Sequence, residues 1–277
     1  MKIENNKFEI LKKLKNVKHP NKQAWINEAL FGFSNIESYV KKIVGGNILE
    51  IGCGSGILLN ILNEKYNNNY YGIEPFNDGF SQTKKILKYT YVDDLNITQS
   101  NYENFDTKKR YDLIYCVNVI EHLNNWKFFI DKASNWLTPK GKLIILAPNY
   151  GFPYESHFCI PVIFNKKLTY HIFKTHINSF EKENNFTGLW KSLNMIKKKN
   201  LLNYIERNKN LKFVDHLDIN KQLILRVLFD EEFKKRQKLI GLLGLLLYRL
   251  KLINIFNFFP NLCPYMFIEI SKKDKIY

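Results

Sequence analysis

A doubly wound α/β fold, with a mostly parallel sheet between layers of helices, is predicted by three observations. The apolar strand ILEI at residues 48–51 runs into three glycines spaced by two, Gly52, Gly54 and Gly56, and the chain restarts at once as an apolar helix at Ile57. A short strand, YYGIEP at 70–75, ends in an acid. Further apolar strands follow at 112–116 and within LTPKGKLIILAPN at 137–149, with helical stretches between them. Strands alternating with helices read as βαβ units, which build parallel sheets.

The glycine loop defines the first element. Glycine has no Cβ and tolerates φ > 0, so it permits both the tight turn and close approach of a ligand to the backbone. The helix that follows presents unpaired N–H groups, which favour a carboxylate or phosphate. Two readings of such a loop fail on spacing. The dinucleotide fingerprint needs its third glycine five residues after the first, where Ile57 stands, and a phosphate loop needs Gly-Lys-Ser/Thr, whereas no Lys follows Gly56.

Asn-rich residues 67–69 close the first helix. The next strand ends at Glu74, where a carboxylate can accept bonds from both hydroxyls of a ribose. NITQSNYENF at 96–105 supplies a third strand and its loop. The fourth strand, beginning at Asp112, leads into Val117, Asn118 and the run Glu121-His122-Leu123. Residues 137–149 read as a helix end, a Pro-Lys-Gly turn and a fifth strand. From 162 to 210 the pattern is helical and basic. LKFVDHLDI at 211–219 and PYMFIEISKK at 264–273 are two more strands, separated by residues 220–263.

The pattern Glu50-x-Gly52-x-Gly54-x-Gly56 resembles the first motif of class I S-adenosylmethionine-dependent methyltransferases. YDLIYCVNVIEHL at 111–123 is similar to that family's fourth motif, in the branch that methylates small molecules and carries an acid-His pair there. With Glu74 and the 137–149 strand, four segments match in the family's order across residues 46–149. The resemblance implies a Rossmann-like, mostly parallel seven-stranded sheet with the last strand antiparallel, its final hairpin interrupted by a helical insertion at 220–263. It implies S-adenosylmethionine as cofactor, with contacts at Glu50, Gly52, Cys53, Gly54, Gly56, Glu74, Pro75, Val117 and Asn118. Asn101 and Tyr102 fall where the family contacts adenine; Asp is common where Asn101 stands, so an amide there must bond differently.

The acceptor is read by exclusion. Exocyclic-nitrogen enzymes of nucleic acids place Asn/Asp-Pro-Pro-aromatic after the fourth strand, where this chain has Val117-Asn118-Val119-Ile120. Cytosine-C5 enzymes need Pro-Cys, but Cys116 follows Tyr115, and no carboxylate cluster for a divalent ion can be assembled from the sequence, so no metal is expected. That leaves an oxygen or nitrogen of a small molecule. The PYESH loop and the insertion look similar to methyltransferases of surface-glycan or lipid-linked sugar pathways. NYGFPYESHFCIP at 149–161 begins at the carboxyl end of the fifth strand, where open α/β sheets bind ligands. Transfer from a sulfonium asks the protein to align the acceptor and remove a proton, for which His157 and His122 are the candidates, with Glu155 and Tyr154 beside them.

The chain has 277 residues and a net charge of +16. Residues 1–22 carry net +5, 23–164 net −1 and 165–277 net +12, so positive charge avoids the expected cofactor core. The expected organisation is an N-terminal helical segment (1–45), an S-adenosylmethionine-binding core (46–149) and a substrate part (150–277). The charge asymmetry keeps an RNA methyltransferase open as an alternative, and a non-catalytic S-adenosylmethionine-binding protein is the third reading. Four cysteines show no metal spacing, so free thiols are expected. The lysine-rich leader lacks an apolar secretion core, which points to the cytoplasm. In the insertion, LIGLLGLLLY at 239–248 is too short for a bilayer, which takes about 20 apolar residues. Flanked by Lys and Arg, it fits a lid over the acceptor, a homodimer contact, or a peripheral membrane contact through 234–260 at the cytoplasmic face.

Overall fold

The computed structural model describes residues 8–77, 80–90, 95–252 and 255–273; the start of the lysine-rich leader (1–7) and residues 253–254 of the insertion lie outside the described residues. In chain order the strands are β1 (Asn47–Ile51), β2 (Asn69–Ile73), β3 (Asn96–Thr98), β4 (Tyr111–Val117), β5 (Leu137–Pro148), the two-residue pair β6 (Tyr154–Glu155) and β7 (Ile160–Pro161), β8 (Leu211–Asp215) and β9 (Tyr265–Lys272). The helices are α1 (Glu9–Leu14), α2 (Lys22–Val40), α3 (Ile57–Lys65), α4 (Thr83–Thr90), α5 (Trp126–Trp136), α6 (Lys166–Asn184), α7 (Leu189–Ser192), α8 (Lys198–Arg207), α9 (Ile219–Phe229), α10 (Glu231–Arg249) and α11 (Ile255–Phe258).

Seven strands form one sheet in the order β3-β2-β1-β4-β5-β9-β8. The pairs among β1 to β5 are parallel, and β9 runs antiparallel between β5 and β8, as expected of the last strand. β1 and β4 are apolar because helices cover both faces of a parallel sheet, leaving neither side to water. On one face Leu14, Ile36, Leu59 and Ile61 pack against Ile48 and Leu113; on the other Phe129, Ile130, Leu201 and Ile205 pack against Leu49 and Ile114. Each such fully buried side chain contributes about 1.5–3 kcal/mol. Tyr150, Phe158, Ile177, Leu189 and Trp190 form a third, smaller core within the segment after β5.

One boundary differs from expectation. Leu137 and Thr138, read as a helix end, belong to β5: α5 stops at Trp136, and Leu137 pairs with Tyr111 before the register shifts. Pro139 biases Thr138 away from helical φ/ψ, and the turn closes on Gly141, where a Cβ would stand 2.6 Å from the Tyr111 carbonyl oxygen.

The 220–263 segment folds as α9 to α11 between β8 and β9. α10 bends at Lys238 (φ 26°, ψ −107°), and its apolar run leaves Leu242, Leu243 and Leu246 more than half exposed. No described helix is long and apolar enough to cross a membrane. The four cysteines are free thiols.

Candidate active site

The strand order reverses between β1 and β4, and doubly wound sheets bind ligands at the carboxyl ends of the strands at such a point. A cavity of about 580 Å³ opens there, within the roughly 300–1,000 Å³ usual for cofactor sites. Its floor is the turn from β1 into α3. Gly52 (φ +69°) donates its N–H to the Ile73 carbonyl at 2.8 Å, and a Cβ on it would stand 2.5 Å from Val119 Cγ2. Gly54 (φ +51°) differs: among the described residues a Cβ there would meet nothing nearer than Thr83 Cγ2 at 3.8 Å, and its backbone lines the cavity.

Two buried acids flank the loop. Glu74 accepts the Gly54 N–H at 3.0 Å on one carboxylate oxygen and the Phe76 N–H at 3.2 Å on the other. Burial still raises its pKa against those two donors. Glu50 takes the Tyr115 hydroxyl at 3.2 Å, and burial pushes its carboxyl up to about 8, against that hydroxyl and with the charge of Glu74 adding.

Of the residues expected from the sequence, Glu50, Gly52, Cys53, Gly54, Glu74, Pro75, Asn101, Tyr102, Val117, Asn118 and His122 all line this cavity. Gly56 and His157 do not. Gly56 (φ +69°) is the N-cap of α3, and His157 lies against the His122 ring, centroids 5.3 Å apart. The Asn101 amide oxygen accepts the Asn104 N–H at 2.9 Å, so the side chain shapes its own turn. Asn118, in the left-handed region at φ 56°, accepts the Tyr265 hydroxyl at 2.6 Å and donates to Glu28 at 3.2 Å.

Other wall residues were not anticipated. α2 contributes Trp25, Glu28 and Ala29, and the segment around α7 contributes Gly188, Lys191 and Ser192. The expected substrate part (150–277) is therefore divided. Residues 188–192 reach the wall, while among the described residues none of 220–263 does. The insertion acts instead on Glu28, which receives Arg226 from α9 and Arg236 from α10. Burial would raise that carboxyl, but the two guanidiniums hold it at about 2.

Beside the wall stands a cluster the sequence did not assemble. Glu121 and His122 lie on the short 3-10 turn after β4, and the β6–β7 hairpin brings His157 to them. Glu121 is fully buried, and among the described residues neither carboxylate oxygen has a hydrogen-bond partner; burial pushes it up to about 7. The Ser192 hydroxyl donates to the Leu189 carbonyl at 2.7 Å and so accepts the Nδ1–H of His122 at 2.8 Å. That fixes the tautomer and leaves His122 Nε2 a bare, buried lone pair with no hydrogen-bond partner among the described residues. Burial, with His157 and Lys166 nearby, holds its pKa well below the usual imidazole range, so the ring is neutral. His157 Nδ1 bonds Glu155 at 2.6 Å; Glu155 in turn accepts the Tyr150 hydroxyl and the His157 and Phe158 amides.

A model of the methyltransferase domain matches residues 25–194. The chain belongs to this methyltransferase family. An uncharacterised protein of Mycobacterium tuberculosis is 29% identical over 204 residues, covering 73% of this chain and 69% of its own. A (S)-tetrahydroprotoberberine N-methyltransferase of Eschscholzia californica is 34% identical over 107 residues, 36% of this chain and 29% of that one. The crystal structure of the plantazolicin methyltransferase BpumL, in complex with a monoazolic desmethylPZN analogue and SAH, shares the fold with a TM-score of 0.53 at 13% identity, covering 92% of this chain and 87% of that one.

The methyltransferase's cavity fits S-adenosylmethionine, the methyl donor of this family. The glycine floor leaves backbone bare at Gly54, where a side chain would intrude, and two buried acids face a ligand that carries positive charge. When bound, the cofactor supplies a methyl group on a sulfonium, already activated toward displacement.

Proposed function

We propose that this methyltransferase transfers the methyl group to an oxygen or nitrogen of a small molecule, with the acceptor entering between the glycine floor and the wall formed by His122, Lys191 and Ser192. The observation that carries this reading is one cavity joining a cofactor floor to a neutral, bare imidazole: His122 Nε2 has no hydrogen-bond partner among the described residues. In this reading Glu74 holds the ribose, Asn101 and Tyr102 border the adenine, and residues 52–56 with Glu50 receive the methionine end. His122 and His157 act on the acceptor, and Glu155 positions His157. The chain's task is alignment of acceptor and donor and handling of the acceptor's proton, which suits a reagent that is already activated.

The acceptor class we favour carries an apolar part, such as a lipid-linked sugar presented at an anionic bilayer surface. Support comes from exposed Leu242, Leu243, Leu246 and Leu250 in and just after α10, with Lys234, Lys235, Arg249 and Lys251 along the same segment. Apolar side chains bordered by cations are the pattern of interfacial helices.

The test is direct. Purified enzyme with S-adenosylmethionine is incubated with polar and lipid-soluble metabolite extracts, and mass spectrometry seeks a species gaining one methyl group. A product in the lipid or sugar-lipid fraction is expected. Methylation confined to RNA would overturn the reading.

A further inference from the structure

We propose that Glu121, His122 and His157 form a binding site for a divalent first-row transition ion, and that the ion takes up a hydroxyl group of the acceptor. The three residues offer one donor atom each, all within 4.8 Å of one another, and Glu121 Oε1 stands 3.9 Å from His122 Nε2. Bonds of about 2.0–2.2 Å bring the donors around such an ion to roughly 3.0–3.5 Å from each other. Side-chain rotations closing an ångström or so complete the site.

Two features of the surroundings are those of a ligand set. Two of the three donor groups are bare where an ion would sit: among the described residues, both Glu121 oxygens and His122 Nε2 are buried without hydrogen-bond partners. Leaving a carboxylate and an imidazole unsatisfied costs the full desolvation of each group, and a cation removes that cost. The opposite ring nitrogens are also held from behind, His122 Nδ1 by Ser192 at 2.8 Å and His157 Nδ1 by Glu155 at 2.6 Å. Ligating histidines are oriented in this way, by an outer partner on the second nitrogen.

The donor set selects the ion and leaves room for substrate. Two imidazoles and one carboxylate favour Zn²⁺, Co²⁺, Fe²⁺ or Mn²⁺ over Mg²⁺ or Ca²⁺. Three protein ligands leave coordination positions open, as in catalytic zinc sites. His122 belongs both to the cluster and to the cavity wall, so the cluster stands beside the space assigned to the acceptor. A bound hydroxyl becomes more acidic and releases its proton to solvent. An amine gains nothing, because coordination would occupy the lone pair that attacks. The ion thus points to a hydroxyl-bearing acceptor; that assignment rests on the small-molecule reading above, whereas the site itself does not.

The full-length protein, stripped with chelator, is titrated with Co²⁺ while the visible d–d absorption is followed, and with Zn²⁺ by calorimetry. One saturable equivalent is expected, lost in Glu121→Gln and in His157→Gln, with Ser192→Ala weakening it about tenfold or more. Melting of each metal-free variant shows whether it folds. Should the buried Glu121→Gln fail, the partly exposed His157 carries the comparison. No saturable site in the wild type, or equal binding by the folded variants, overturns the proposal. A methylated small molecule formed without any Co²⁺ site removes the ion and leaves the function; a Co²⁺ site lost in both variants, with methylation found only on RNA, does the reverse.

Discussion

Arg226 of α9 grips Glu28 of α2 with both terminal nitrogens, Nη1 to Oε2 at 3.1 Å and Nη2 to Oε1 at 2.9 Å. Its Nε is held by Asp230 at 2.8 Å, and the guanidinium lies 4.8 Å from the Phe31 ring centroid and 4.4 Å from that of Phe233. One buried cation thereby fastens the helical insertion to a helix that lines the cavity. Arg226→Met would leave Asp230 without its cation and Glu28 with Arg236 alone; breaking a fully buried pair costs about 3–5 kcal/mol. Because Glu28 retains some solvent contact and Arg236 as a partner, the expectation is the lower end of that range, read by denaturant unfolding.

The same pair gives a pH dependence of known sign. Glu28 is held at about 2 when folded and titrates near 4.3 when unfolded. Its stabilisation is therefore complete above about pH 4.3 and is lost as pH falls through about 2. The melting-temperature gap between wild type and Glu28→Gln should be constant from pH 5 to 7 and shrink steadily below 4. A gap that widens on acidification would contradict the assignment.

The glycine floor separates folding from binding. Gly54→Val puts a side chain into open space at φ +51°, costing about 1–2 kcal/mol in backbone strain and filling the place of the cofactor. Gly52→Val meets Val119 at 2.5 Å and should cost considerably more stability. Calorimetry with S-adenosylhomocysteine should find the Gly54 variant folded and unable to bind. Wild-type affinity in that variant would move the cofactor elsewhere.

Much of this was legible in the sequence because the chemistry there is local. Gly52, Gly54 and the strand before them are contiguous, and Glu74 ends the neighbouring strand, so strand order alone joins them. Glu28 was not legible: an acid on a helix normally faces water, and its partner Arg226 lies 198 residues away. His157 reaches His122 only through the β6–β7 hairpin, two residues per strand, which carries no periodic signal. The start of β5 was misread because α5 leads into it without a break and the Pro-Lys-Gly turn interrupts it.

Glu50 predicts a proton count. Held at about 8, its carboxyl is mostly protonated at pH 7 before cofactor arrives. A cationic ligand favours the ionised form, so binding should expel up to one proton. Calorimetry of S-adenosylmethionine binding at pH 7 in buffers of differing ionisation enthalpy measures that number directly. The release should fade above pH 9, where Glu50 is already ionised, and be reduced in Glu50→Gln. Equal apparent enthalpies in all buffers at pH 7 would rule it out.

The exposed face of α10 yields a last expectation. Leu243 and Leu246 are 56% and 51% exposed, and burying a leucine in an apolar phase is worth about 1.5–3 kcal/mol. Cations near an anionic bilayer add about 1 kcal/mol each. Sedimentation with phosphatidylserine-containing vesicles should therefore recover the protein at low salt, and Leu243→Asp with Leu246→Asp should cut recovery on the order of a hundredfold in partition coefficient. Charge alone would leave the double variant bound. If the face were instead a contact between two copies of this chain, light scattering would show a dimer that the double variant dissociates, with vesicle recovery negligible throughout.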